Sequence, residues 1–218
     1  MPYRLKPLVS GEVYHIYNKS IAEFKIFNRN SHFTRIINAI RYYQSVKQDL
    51  SFSNFVRRSP KNLGTHISID NKKLVEIIAY CVMPTHLHLI LKQLEDNGIS
   101  IFMNKMLNSY SHYFNIKHER KGPLWEGRFK NVLVEKDEYL LHLTRYIHLN
   151  PVTAYLVNKP EEWPASSYGE YLQVVEEKDK ICSYNEILEI DSHSYREFTE
   201  DRISYQRELA NIKHLIMD

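Results

Sequence analysis

Two short runs carry side chains that could do chemistry together. The first is Thr85-His86-Leu87-His88-Leu89-Ile90. In a strand, successive side chains alternate between faces, so His86 and His88 share one face while Leu87 and Leu89 point to the other. Two imidazoles on rigid backbone make half of a divalent-metal site. Two solvent-facing histidines would leave the same pattern. Zinc would ask for more Cys or His nearby, and Cys81, of opposite parity, is expected to face away. The second run is Arg145-Tyr146-Ile147-His148-Leu149-Asn150-Pro151. On a helix, Tyr146 and Asn150 stand four residues apart and are neighbours on one face. That face would present a phenol nucleophile beside an amide oxygen able to ligate a metal, and Tyr139 and His142 would continue it. The plainer alternative is a surface tyrosine and a helix-capping Asn before Pro151, which is expected to stop the helix.

A third run, Leu124-Trp125-Glu126-Gly127-Arg128-Phe129-Lys130, interleaves aromatics with cations beside a glycine. Nucleic-acid bases could stack on Trp125 while Arg128 and Lys130 meet phosphates; a loop pinned to the core by Trp125 is the equal alternative. Further cations that could meet phosphates are Arg120 and Lys121, and Arg57, Arg58 and Lys61 in a polar stretch over 51–71.

The elements that must position these groups follow from periodicity. Glu12–Asn18 is a strand. Ser31–Lys47 has helical spacing through Phe33, Ile36, Ile37, Ile40 and Tyr43, with Asn30 or Ser31 as its cap. Leu74–Met83 and His86–Lys92 are neighbouring strands broken at Pro84-Thr85. Ser100 is expected to cap a helix to about Lys117, with Met103, Met106, Leu107, Tyr110 and Phe114 on its buried stripe. Phe129–Glu135 is a strand, and Asp137 caps a helix running to Asn150. The order β-α-β-β-α-β is that of an α+β, ferredoxin-like, four-stranded antiparallel sheet with helices on one face. A catalytic domain over 1–158 and an acidic, mostly helical tail over 159–218 are expected.

The charge suggests a polyanionic partner for the body of the chain, a solvated basic face with no partner being the plain alternative. Residues 1–160 hold 23 Lys/Arg against 12 Asp/Glu, whereas 161–218 hold 6 against 14. A basic body with an acidic tail suits nucleic acid. The two cysteines, Cys81 and Cys182, have no zinc or redox spacing, and a reduced setting is the simpler reading. No apolar leader and no membrane-length stretch is evident. No phosphate-binding GxxxxGK[ST] loop is present either.

In order and spacing, THLHL, SYSHYFN, LWEGRFKNVLVE, YLLHLTRYIHLNPV and WPASSYGEYL resemble the HUH single-tyrosine transposases, in the branch of REP-associated tyrosine transposases. The resemblance covers roughly residues 8 to 172. It implies His86 and His88 as metal ligands, Asn150 as a third ligand, Tyr146 as nucleophile, and Mg²⁺ or Mn²⁺ as the cation. It also implies single-stranded DNA beside a small hairpin as substrate, a 5′-phosphotyrosine intermediate, and a cytoplasmic, nucleoid-associated enzyme. Relatives form homodimers with the tyrosine helix acting in trans, so cis or trans stays open. Tyr110 and Tyr113 are rival nucleophiles; Tyr110 lies on an apolar stripe, and Tyr113 is the stronger rival. A domesticated repeat-binding protein or a non-catalytic single-strand-binding module are the alternatives in function, and a metal hydrolase would not need Tyr146.

Overall fold

A computed structural model describes residues 7–46, 48, 50–58, 72–185 and 187–217, with side chains to 210. Four strands, β1 (Val13–Lys19), β2 (Val75–Val82), β3 (His86–Gln93) and β4 (Lys130–Leu133), form one sheet in the order β2-β3-β1-β4. Every neighbouring pair is antiparallel. The helices are α1 (Asn30–Tyr43), α2 (Phe52–Arg58), α3 (Gly98–Lys117), α4 (Asp137–Thr153), the single turn α5 (Tyr168–Tyr171), α6 (Ser192–Glu200) and α7 (Ile203–Met217). The α+β, ferredoxin-like expectation holds. Within the polar stretch, 52–58 form α2 and most of the remainder, Lys61 included, lies outside the described residues.

The alternation of β3 divides the core into two layers. Leu87, Leu89 and Leu91 face a cluster with Ile36 and Ile40 of α1 and Phe102, Met106 and Tyr110 of α3. Ile90 faces the opposite way, into a second cluster with Ile78 and Ala79 of β2 and Leu140, Leu143 and Ile147 of α4. So α1 and α3 cover one face and α4 covers part of the other. Each fully buried Leu or Ile contributes roughly 1.5–3 kcal/mol over exposure, which is what seats α4.

The acidic tail is built into this second layer. Tyr168, Tyr171 and Tyr195 are buried with the α4 residues. Residues 165–167 run along the outer edge of β2, through Val82 N–H to Ala165 O at 2.9 Å and Ser167 N–H to Tyr80 O at 2.9 Å. They cover an edge that would otherwise invite another strand. Buried Glu170 accepts from the backbone N–H groups of Ile181 and Cys182 at 2.9 and 2.8 Å. No described helix is long and apolar enough to cross a membrane.

Several local expectations change. Helix α4 continues through Pro151 to Thr153. Proline removes the N–H that would bond the carbonyl one turn back, and the Asn150 amide replaces it, Nδ2 donating to Ile147 O at 3.4 Å and to Tyr146 O at 3.1 Å. Helix α3 starts at Gly98, after Asn97 in the left-handed region, rather than at a Ser100 cap; the Leu74 carbonyl packs where a Cβ on residue 98 would stand, 2.3 Å away, so only glycine fits there. Neither α1 nor α4 has a side-chain cap; Arg29 and Lys136 hold those positions. Cys81 does not face away from the histidines. It pairs directly with His88 and is buried in the cluster under α4. Parity counted along the chain fails across the turn at Pro84-Thr85, where strand register is set by the turn instead.

Candidate active site

Cross-strand partners share a face. The register sets Lys19 opposite His86, Tyr17 opposite His88 and His15 opposite Ile90; on the other side of β1, Tyr17 opposes Lys130 and His15 opposes Val132. The face therefore carries His15, Tyr17, Lys19, His86, His88 and Lys130 together. The ring of Tyr146 comes down from α4 onto this group and meets His88 edge-on, centroids 6.0 Å apart at 82°. His86 and His88 are themselves edge to face, with centroids 5.1 Å apart.

Both histidines of the HxH pair are held through Nδ1. Thr85 Oγ1 lies 3.0 Å from His86 Nδ1, and His15 Nε2 lies 2.9 Å from His88 Nδ1. This leaves Nε2 of each ring for a cation, the arrangement that partnered histidine ligands adopt. Burial, followed by the nearby Lys19 charge, lowers His86 to about 4. Burial and then the neighbouring imidazoles hold His88 well below its ordinary value, and burial lowers His15 to about 4. At neutral pH these rings are uncharged and keep the lone pairs that ligation requires. Among the described residues, no set of three His, Cys, Asp or Glu side chains is arranged to hold a metal. Asn150 stands one turn after Tyr146 on α4, with its Nδ2 turned to the Tyr146 carbonyl of its own helix at 3.1 Å.

Tyr146 is half exposed, at 42%, although its surroundings raise its pKa, chiefly by burial and then through Tyr17 and Tyr139. Its rivals stand elsewhere. Tyr110 is fully buried between α3 and the Ile26 carbonyl, to which it donates at 2.7 Å. The Tyr113 hydroxyl accepts from Lys117 Nζ at 2.9 Å, and its ring packs near His32 of α1, on the layer behind the sheet. His142 does not continue the Tyr146 face toward the histidines; its ring turns to Phe198 of α6 and its Nδ1 to Arg145 at 2.8 Å. His148 is buried on the far side of α4, bonded to Tyr195 Oη at 2.6 Å and Ser167 Oγ at 2.8 Å.

The cations divide. Arg128 and Lys130 line a cleft of about 170 Å³ with Tyr17, Asn18, Lys19, Glu126 and Gly127, continuous with the histidine face. Arg57 and Arg58 end α2, whose Phe52 is buried with α1 and α3 behind the sheet, so they are not brought to this cleft. Arg120 is tied to the end of α3 through Asn115 Oδ1 at 3.1 Å and to its own loop through Pro123 O at 2.8 Å; Lys121 is exposed on that loop. Trp125 is the anchor of the two alternatives: its ring packs by Phe27 and Tyr110 and its Nε1 donates to Ser111 Oγ at 3.0 Å. His15, Tyr17 and Lys19 were not singled out in the sequence. Their alternation in VYHIYNK was the available signal, and it needed the β1–β3 register to acquire meaning.

Known proteins resemble this chain. Residues 14–150 match the model of the family described as Transposase IS200 like. A Haemophilus influenzae protein, provisionally named a REP-associated tyrosine transposase, is 27% identical over 103 residues, 43% of this chain and 58% of that protein. The chain thus spans little more than half the length of that relative. A solved structure described as a REP-associated tyrosine transposase bound to a REP hairpin superposes with a TM-score of 0.55 at 17% identity, over 84% of this chain and 93% of that one. That likeness shows a shared fold. With a family model matched from β1 to Asn150, and so over more than half of its length, the chain belongs to the IS200-like transposase family.

Proposed function

We propose that the protein cleaves and rejoins single-stranded DNA through a 5′-phosphotyrosine on Tyr146, acting in cis on a scissile phosphate held over His86 and His88, and that it belongs to the REP-associated branch. The observation that carries this is the edge-on meeting of Tyr146 with His88 of the same chain. A strand end beside a hairpin is the proposed substrate, in keeping with what the solved relative is described as binding. The proposed partner is the chromosomal repeat in the cytoplasm.

The residues divide the work. His86, His88 and Asn150 would hold Mg²⁺ or Mn²⁺, which when bound polarises the phosphate and stabilises charge in the in-line transition state. The Tyr146 oxygen attacks phosphorus as its phenolic proton is lost; the bond to the 3′-oxygen breaks, and that oxygen leaves as a 3′-hydroxyl after taking up a proton. Attack by another 3′-hydroxyl reverses the step, so the phosphodiester energy is kept and no nucleotide cofactor is required. Lys19, Arg128 and Lys130 meet flanking phosphates, and Tyr17 offers a ring on which a base can stack. Residues 1–158 form the catalytic part in this scheme, and 159–218 brace the tyrosine helix.

Labelled hairpin oligonucleotides taken from repeats flanking the gene test the proposal, incubated with Mn²⁺ or with EDTA and run on denaturing gels. A metal-dependent covalent adduct is expected, absent in His86→Ala. Cleavage without an adduct would favour hydrolysis by water instead, and salt-sensitive binding without cleavage a binding module.

A further inference from the structure

We propose that His15 is a positioning residue of the cation site, fixing the tautomer of His88 so that His88 Nε2 stays a lone-pair donor. The inference rests on the metal reading of His86 and His88 and extends it to a residue on a different strand.

The geometry starts from register. His15 on β1 lies opposite Ile90, and His88 lies opposite Tyr17, so His15 and His88 are diagonal neighbours on one face. Diagonal pairs are within reach of long or aromatic side chains. Here the reach closes to a hydrogen bond: His15 Nε2 to His88 Nδ1 is 2.9 Å, with the rings nearly parallel at 21°. Both side chains are buried, at 8% exposure each, so solvent competes poorly for the bond.

Of two imidazole nitrogens in contact, one donates and the other accepts. If His15 donated, His88 would accept at Nδ1, carry its proton on Nε2 and have no lone pair for a cation. If His88 donates from Nδ1, its Nε2 is the bare nitrogen. His15 then accepts at Nε2 and holds its own proton on Nδ1. The nitrogen through which His15 faces the site is already turned to His88, so it serves as an acceptor and not as a further ligand. Thr85 Oγ1 does the corresponding service at His86 Nδ1, 3.0 Å away. The Thr85 hydroxyl donates or accepts by rotating and His15 by changing tautomer; with His88 Nε2 given over to a cation, the buried pair is left with His88 Nδ1 as donor and His15 Nε2 as acceptor.

The test titrates Mn²⁺ alone into the full chain without DNA, following free Mn²⁺ by electron paramagnetic resonance. Wild type, His15→Phe and His15→Gln are compared. Loss of an outer partner of this kind weakens metal affinity by about 10–100-fold. That loss is expected for His15→Phe, which keeps the ring's bulk without an acceptor, while His15→Gln retains an acceptor and regains most of the affinity. Equal binding by His15→Phe and wild type overturns the proposal, as does equal loss in both variants. Imidazole ¹⁵N spectra of the unsubstituted protein decide the matter if His15→Phe does not fold: a proton on His88 Nδ1 supports the proposal and a proton on Nε2 overturns it. Failure of wild type to bind Mn²⁺ overturns the metal reading itself, an outcome distinct from normal wild-type binding with an indifferent His15→Phe.

Discussion

The ring of Tyr146 stands edge-on to the ring of His88, 6.0 Å between centroids, and both belong to one chain. One packed interface sets this relationship, because Leu140, Leu143 and Ile147 of α4 bury against Ile78, Ala79 and Ile90 of the sheet. The tail holds the other side of the same helix. Arg145 Nη1 donates to the Phe198 carbonyl at 3.2 Å, and Arg207 donates to the carbonyls of Val152 and Val157 at 3.1 and 3.2 Å. This packing on both sides is the basis of the proposed action in cis.

A complementation experiment follows from that grip. His88→Ala and Tyr146→Phe proteins are mixed before oligonucleotide is added. In cis, each chain lacks one essential part, and the mixture forms no more adduct than either variant alone. Adduct rising with the concentration of the second variant would show the tyrosine of one chain reaching the histidines of another.

Tyrosine substitutions separate the nucleophile from its neighbours. Tyr146→Phe should lower adduct formation by more than about 10³-fold, as loss of a nucleophile does. The side chain is 42% exposed, so unfolding free energy should stay within about 0.5 kcal/mol of wild type. Tyr113→Phe removes only an oxygen paired with Lys117 behind the sheet. It should leave the adduct intact, and adduct lost with Tyr113→Phe but kept with Tyr146→Phe would transfer the assignment.

The shared face of His86 and His88 and the shared helix side of Tyr146 and Asn150 were legible in the sequence, because each depends only on local period. What joined them was not. Tyr146 reaches His88 through a helix that crosses to the second face of the sheet, and His15 reaches His88 through the register between strands far apart in sequence. Neither register nor layer is a local property. Pro151 shows the reverse failure: a strong local rule predicted a helix end, and the Asn150 side chain supplied what the proline removed. Trp125 and Arg128 were equivalent members of one motif until the fold sent one to the core and the other to the cleft.

Phosphate contacts in that cleft should appear in the salt dependence of binding. Each cation that neutralises a single-strand phosphate contributes about 0.7 to the slope of log K against log salt. Lys19→Ala and Lys130→Ala should each reduce the slope by about that amount. The same substitution at Lys121, exposed on the loop after α3, serves as a comparison. Unchanged slopes for Lys19 and Lys130 would remove them from the binding surface.

Acid should weaken the fold through the histidine behind the nucleophile. His148 is fully buried between Tyr195 Oη and Ser167 Oγ, and burial lowers it from 6.5 to about 3. Between those values the unfolded chain takes up a proton that the folded chain refuses. Stability is therefore undiminished above pH 6.5 and falls as pH drops from 6.5 toward 3, with a slope near 1.4 kcal/mol per pH unit from this one group. His15 and His86, each lowered to about 4, add to the loss over a narrower window. Urea unfolding at pH 7.5, 6 and 5 measures the slope. His148→Gln should be less stable at pH 7.5, having lost a buried network, but shallower below pH 6.5 by about the contribution of one proton. Parallel lines for the two proteins would mean that His148 is protonated within the fold, and that Tyr195 and Ser167 accommodate the charge on the same helix that presents Tyr146.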